Sequence, residues 1–155
     1  MRRLAVLLAT CGYVGYAPVA PGTFGSAAGL VVFAIVRSSE SSVVELAVIA
    51  VLFAAGVWSG TEAEHHFGGV DPGPIVLDEV VGMLITLALL PVNVTGAIVG
   101  FLVFRVLDVF KPWPSGRFER LPGGLGVMAD DGMAALYGNL LMRALIAFAP
   151  AGWLT

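Results

Sequence analysis

Five of the eleven acidic residues in this chain stand in three places beside apolar runs: Asp78 with Glu79, Asp108 alone, and Asp130 with Asp131. Ionisable groups next to apolar spans are costly and mark functional sites by default. Helix capping accounts for one acid at a helix start, where it accepts from free N–H groups and complements the dipole. It accounts less well for adjacent acids on two helices. It does not account for Asp108, expected near a helix C-terminus, where negative charge is disfavoured. Carboxylates converging from three helix ends make an oxygen-ligand site for a hard divalent cation. Magnesium is held by one or two carboxylates, water and substrate phosphate, and it is the expected ion. Zinc would need His or Cys. Only Cys11, His65 and His66 are present, and adjacent histidines point to different sides of a helix. The histidines are expected to be solvated, and Cys11 to be a small buried hydrophobe outside any disulfide.

In "FRVLDVFKPWP", residues 104–114, Arg105, Asp108 and Lys111 recur every three residues. On a helix that spacing makes one stripe. Such a stripe is either an ion-pair ladder at a membrane interface or a site in which a planar guanidinium and a point-charge ammonium receive phosphate oxygens while the acid between them binds the metal. Pro112 and Pro114 then stop the helix. "PVAPGTFGSAAG", 18–29, places Gly22, Thr23, Gly25 and Ser26 before an apolar run. Thr23 or Ser26 is expected as the helix N-cap, and the free N–H groups there suit an anion. "LPGGLGVMADDG", 121–132, reads as a Gly-rich approach to another helix, with Asp130 and Asp131 at its cap. Other phosphate chemistries lack their residues. No arginine follows Cys11 six positions on, no Asp-x-Asp pair occurs, and the Walker glycine–lysine loop is absent.

These residues must be positioned by apolar elements. Of 155 residues, 58% are hydrophobic and 12% charged, against about 25% charged in ordinary soluble domains. Mean hydropathy is +0.93. Five segments are apolar nearly all round: 26–36, 43–58, 80–90, 94–110 and 132–149. Their lengths and the lack of period-2 alternation predict helices. Several are short of the about 20 residues a spanning helix needs. The expected fold is all-α, one domain over 1–155, a helical bundle of about five or six apolar helices embedded in or attached to a membrane. If each of the five segments crosses once, the Gly-, Pro- and charge-rich regions 10–25, 59–79 and 111–131 share one side. The plain links and the C-terminus share the other. Arg2, Arg3, Arg105, Lys111, Arg117 and Arg120 fall on the rich side, which the positive-inside tendency makes cytoplasmic. The opening "MRRLAVLLATCG" is too short in its apolar run for a cleaved signal peptide and is expected to belong to the working protein. A net charge of −3 gives no reason to expect nucleic acid.

Taken together, "APVAPGTFGS", "IVLDEVVGM", "FRVLDVFKPWP" and "GGLGVMADD" resemble the phosphatidylglycerophosphatase A family, in order and approximate spacing, from about residue 12 to 148. The resemblance implies an all-helical, magnesium-dependent phosphatase at a bacterial cytoplasmic membrane, its active-site loops facing the cytoplasm. Its substrate would be phosphatidylglycerophosphate and its product phosphatidylglycerol. On this basis Glu79, Asp108 and Asp131 hold the ion, assisted by Asp78 or Asp130. Arg105, Lys111, Thr23 and Ser26 receive the phosphate. Asp78 or Asp130 acts as base, and Lys111 joins the catalytic set. Leu77 stands where the family often has Trp or Ile, and the stretch 59–74 matches loosely, so Glu62, Glu64 and Asp71 carry less weight. Two alternatives stay open: a phosphatase for another lipid phosphate, and a non-catalytic membrane protein that binds an anionic lipid.

Overall fold

In a computed structural model, which describes residues 2–118 and 120–155, every regular element is helical. The α-helices are α1 (Arg2–Ala9), α2 (Pro21–Arg37), α3 (Ser42–Phe67), α4 (Leu77–Leu87), α5 (Val94–Phe110), α6 (Ser115–Phe118) and α7 (Gly124–Phe148), with a short 3-10 turn at Val14–Tyr16. The five expected apolar segments are all helices. The α1 helix and the single turn α6 add to them.

The centre of the bundle is α4. At 11 residues it is about 16 Å long, and Val80, Val81, Met83, Leu84 and Leu87 are at most 1% exposed. It packs between α2 and α7. The main core joins Phe33, Met83, Leu84, Leu87, Phe104, Ala135 and Met142. A smaller cluster, Ala9, Ala63, Ile75 and Val127, seals the other end. There α1 lies on α3, and the Ala9 carbonyl accepts from the Val76 N–H at 2.9 Å. Among the described helices α3 alone, with 26 residues, is long and apolar enough to cross a membrane. Segment 80–90, too short for a span, lies within the bundle as an enclosed helix. Large apolar side chains remain exposed outside the bundle, such as Val51 at 66%, Phe110 at 79% and Phe148 at 91%, in keeping with a membrane-associated chain.

Local chemistry explains most boundaries. Ser41 caps α3 through Val44 N–H, and Asn93 caps α5 through Gly96 N–H at 2.9 Å. Asn139 on α7 donates to the Ile85, Thr86 and Ala88 carbonyls at 3.0–3.2 Å, closing the last turn of α4, where the Ile85 carbonyl also accepts from the Ala88 N–H. Asn139→Ala should destabilise the fold by about 2 kcal/mol, since it strands acceptors that one side chain satisfied. Urea titration in detergent reads this as a lower midpoint with unchanged slope.

Three expected boundaries move. Ala20, not Thr23 or Ser26, occupies the N-cap of α2, and Pro21 opens the helix. The α7 helix begins at Gly124, so Asp130 and Asp131 sit in its second turn rather than at its cap. Lys111 does not continue the α5 stripe. It is the C-cap residue, in the left-handed conformation at φ 42°.

Candidate active site

The rich regions meet at one end of the bundle. The first turn of α4 supplies Asp78 and Glu79, the last turn of α5 supplies Asp108, and the second turn of α7 supplies Asp130 and Asp131. Asp78, Asp108, Asp130 and Asp131 are buried. Oxygens of Asp78, Glu79 and Asp131 lie within 4.8 Å of one another. Asp78 Oδ1, Glu79 Oε2 and Asp131 Oδ2 accept no hydrogen bond. Buried polar atoms ordinarily have a partner, so three converging acids that each hold an unpartnered buried oxygen fit a cation. An all-oxygen donor set suits magnesium, calcium or manganese.

The electrostatics agree. Burial raises the Asp78 carboxyl well above its usual range, and the charge of Glu79 adds to the shift. Glu79 is pushed up to about 8, by burial and then by the charge of Asp131. Asp131 is raised by burial, then by Asp78 and Asp108. A carboxyl whose pKa is higher folded than unfolded stabilises the fold fully below its unfolded value. That stability is lost as pH rises through the folded value. The Glu79 contribution is therefore lost between about 4.5 and about 8. A divalent cation binds the ionised form, so it should raise the melting temperature more at pH 8 than at pH 5.5. Melting curves with magnesium and with EDTA across that range check this.

Cations form the rim. The Arg105 guanidinium donates to Asp108 at 2.6 Å, lies 3.9 Å from Glu79, and donates to Ser26 Oγ at 3.4 Å. The Ser26 hydroxyl in turn donates to the Gly22 carbonyl at 2.9 Å. Lys111 reaches across to Asp130 as an ion pair. The sequence stripe thus divides between two acids on different helices: Arg105 holds Asp108, and Lys111 holds Asp130.

The glycines at the start of α2 do something other than was expected of them. A Cβ at Gly22 would lie 2.1 Å from Glu79 Oε1 and 3.1 Å from Arg105. One at Gly25 would lie 2.8 Å from Val76. These glycines let α2 approach α4 closely. Thr23 is exposed in the first turn of α2, its N–H bonded to Ala20. A similar approach starts α7, where a Cβ at Gly124 would lie 2.3 Å from the Val57 carbonyl.

The structure brings together Asp78, Glu79, Arg105, Asp108, Lys111, Asp130, Asp131 and Ser26, and leaves Thr23 at the periphery. Asp78, expected as an assistant, belongs to the tightest acid group. Asp108, expected as a ligand, is turned to Arg105. Asp71 gained little weight from the sequence, yet its charge reaches Asp78, and its N–H is held by Glu64 at 3.0 Å. Its one signal was an acid seven residues before Asp78. His65 and His66 are exposed at the end of α3 and lie outside the acid group.

Comparison with known proteins shows the family. The family model of phosphatidylglycerophosphatase A matches residues 7–146. The phosphatidylglycerophosphatase A of Escherichia coli (strain K12) is 37% identical over 124 residues, 79% of this chain and 72% of that protein. The chain belongs to the phosphatidylglycerophosphatase A family. The Haemophilus influenzae protein of the same name is 36% identical over 81% of this chain and 78% of its own. A Bacteroides thetaiotaomicron protein, described as a candidate phosphatidylinositol-3-phosphatase, is 34% identical over 90% of this chain and 91% of its own. No solved structure matches the chain. Family membership places the chain among phosphoric monoester hydrolases. Three of the four motifs that carried the resemblance contribute Asp78, Glu79, Arg105, Asp108, Lys111, Asp130 and Asp131, and the fourth contributes Ser26.

Proposed function

We propose that this chain hydrolyses phosphatidylglycerophosphate to phosphatidylglycerol and inorganic phosphate, using magnesium, at a bacterial cytoplasmic membrane with the site facing the cytoplasm. The observation that carries the reading is the convergence of Asp78, Glu79 and Asp131, which bring carboxylate oxygens within 4.8 Å of one another and each hold a buried oxygen without a donor, edged by Arg105 and Lys111. The cytoplasmic orientation rests on the arginines and lysine gathered at the site's end of the bundle.

Asp78, Glu79 and Asp131 would hold the ion, with Asp108 beside them. When bound, magnesium neutralises phosphoryl charge and lowers the pKa of a coordinated water. Arg105, held by Asp108 and Ser26, would present its remaining donors to the phosphate oxygens. Thr23, at the exposed start of α2, would meet the outer part of the head group. The Lys111–Asp130 pair would move protons. Asp130 takes the proton of the attacking water as the oxygen–phosphorus bond forms. Lys111 gives one to the ester oxygen as its bond to phosphorus breaks, and the two groups re-equilibrate across their ion pair. The sum is ester plus water giving alcohol plus phosphate.

A second head group has a specific observation behind it, the similarity to the Bacteroides protein. The test is phosphate release from mixed micelles containing either phosphatidylglycerophosphate or phosphatidylinositol 3-phosphate, with magnesium or with EDTA. We expect magnesium-dependent release from the first lipid, falling to background in EDTA. Release from the second alone would reassign the substrate. Release unaffected by EDTA would remove the metal, and none from either lipid would remove the enzyme reading.

A further inference from the structure

A cleft of about 630 Å³ opens between α1, the 3-10 turn and the end of α3, lined by Arg2, Arg3, Val6, Tyr13, Tyr16 and His66. It shares no residue with the acid group or with the cations around it. Such a volume is within the range of small-molecule sites, about 300–1,000 Å³. All its lining side chains except Val6 offer N–H or O–H donors. Among the described residues neither Arg2 nor Arg3 pairs with an acid. Nor do the arginines serve their own helix. They stand in the first turn of α1, where positive charge opposes the helix dipole.

The tyrosines are fixed in place. Cys11, Gly12 and Tyr13 are all left-handed, at φ 48°, 65° and 72°. Such backbone is costly outside glycine and persists where the surroundings enforce it. Here the Gly12 N–H donates to the Leu7 carbonyl at 2.8 Å, the Tyr13 N–H to Thr10 Oγ1 at 3.2 Å, and the Gly15 N–H to the Thr10 carbonyl at 3.0 Å. Gly15 lies against Pro74, where a Cβ would come within 1.9 Å of the carbonyl oxygen. The Tyr13 and Tyr16 rings are 5.8 Å apart, and Tyr16 stands 6.0 Å from Phe67, beside His66.

We propose that this cleft is a second, non-catalytic site that binds the phosphate group of an anionic phospholipid. Two unpaired guanidinium forks beside one space call for an anion with several acceptor oxygens, which a phosphate has. Tyrosine and histidine both donate and accept, so they suit the hydroxyls of a polar head group around that phosphate. The same α1 chooses a lipid over the free anion. Leu4, Leu7 and Leu8 are 54%, 37% and 36% exposed on this short helix. A soluble phosphate gives no reason for three exposed leucines beside two arginines, whereas basic and apolar residues together fit the surface of an anionic bilayer. Bound lipid would hold α1 and, through the Ala9 carbonyl on the Val76 N–H, the approach to α4 against the membrane surface.

The probe is phosphatidylglycerol in neutral dodecylmaltoside micelles, titrated into the full chain by calorimetry with EDTA present. Phosphatidylcholine and inorganic phosphate are run beside it. Wild type is compared with Arg2→Gln/Arg3→Gln, with Tyr13→Phe, and with Arg117→Gln/Arg120→Gln, which removes the same charge elsewhere. We expect the first pair to weaken phosphatidylglycerol binding about tenfold or more, and Tyr13→Phe to weaken it about threefold. The control pair should change it by less than about twofold, and phosphatidylcholine should bind alike to all four proteins. Inorganic phosphate should need the same two arginines and bind about tenfold more weakly than the lipid. Equal losses in the two arginine pairs would reveal attraction by overall charge and overturn the site. Inorganic phosphate bound as tightly as the lipid would overturn the lipid as occupant in favour of the free anion. Arg2 and Arg3 are exposed, so their pair should melt with wild type. If it melts lower, Tyr13→Phe decides alone, and unchanged binding there overturns the cleft. None of these titrations reads phosphate release, so the outcome stands apart from the phosphatase reading.

Discussion

Asp131→Asn should reduce kcat/KM by about a thousandfold or more while leaving the metal-free protein as stable as wild type or more so. The two effects have one cause. Asp131 is 3% exposed, its Oδ2 has no donor, and Asp78 and Asp108 both oppose its ionisation. Without a cation, its charge is a burden on the fold. Burying an ionised carboxylate without compensation is expensive, and an amide of the same shape removes that cost. With a cation, the same charge is a ligand, and losing it weakens electrostatic stabilisation of the transferring phosphoryl group. Each 1.36 kcal/mol of lost transition-state stabilisation is a factor of ten in rate. Three such factors, about 4 kcal/mol, match the several kcal/mol a catalytic metal supplies. Phosphate release and melting curves in EDTA, on one preparation, measure both. A variant that lost stability and activity together would make Asp131 a structural residue and remove it from the ligand set. A protein that only binds an anionic lipid would lose little by this change.

The second large effect is expected at a residue with no side chain. Gly22→Ala should lower kcat/KM about a hundredfold with little loss of stability. The new methyl would sit 2.1 Å from Glu79 Oε1, a distance no carbon tolerates. The far end of Glu79 can swing away cheaply, so the fold survives. The carboxylate can do so only by leaving Asp78 and Asp131. Displacements of about 1 Å in a catalytic array cost about a hundredfold. The same methyl would lie 3.1 Å from Arg105, so both the metal side and the phosphate side are disturbed. Apparent magnesium affinity, read from the activity dependence, should weaken in parallel. An unchanged rate would show that Glu79 has another productive rotamer and that α2 does not set its position.

The sequence revealed the helices where side chains cap them locally. The α5 bounds, 94–110, agree with the apolar segment because Asn93 starts the helix and Pro112 follows its end. The acid clusters were legible because charge is scarce in so apolar a chain. What escaped were consequences of packing between distant segments. "GGLGVMADD" has the composition of a loop, and intrinsic propensity disfavours glycine in helices. The α7 helix nonetheless starts there, because only glycine fits against the Val57 carbonyl. The glycines of 22–25 look like an anion loop for the same reason and serve a close helix approach instead. Lys111 was placed on the α5 stripe by assuming that the helix continued. A residue before proline is disfavoured in the helical region, and Lys111 turns out of the helix toward Asp130. That signal was present in the sequence. The partition of the acids was not. Which three oxygens converge depends on the rotation of α4 against α7, and no local spacing encodes it.

The enclosure of α4 has a mechanical consequence. Two of the three converging acids ride on a helix that is walled in by α2 and α7 and closed at its far end by Asn139. Among the described helices the long, mostly exposed α3 alone is long and apolar enough to cross a bilayer. When a membrane thickens or thins, a spanning helix tilts or shifts to match it. A strain of that kind on α3 would pass chiefly to α7, on which it packs, and less to α4. Asp78 and Glu79 are thus carried by an enclosed helix, and the element through which α3 mainly meets the acid array is α7, which carries Asp131.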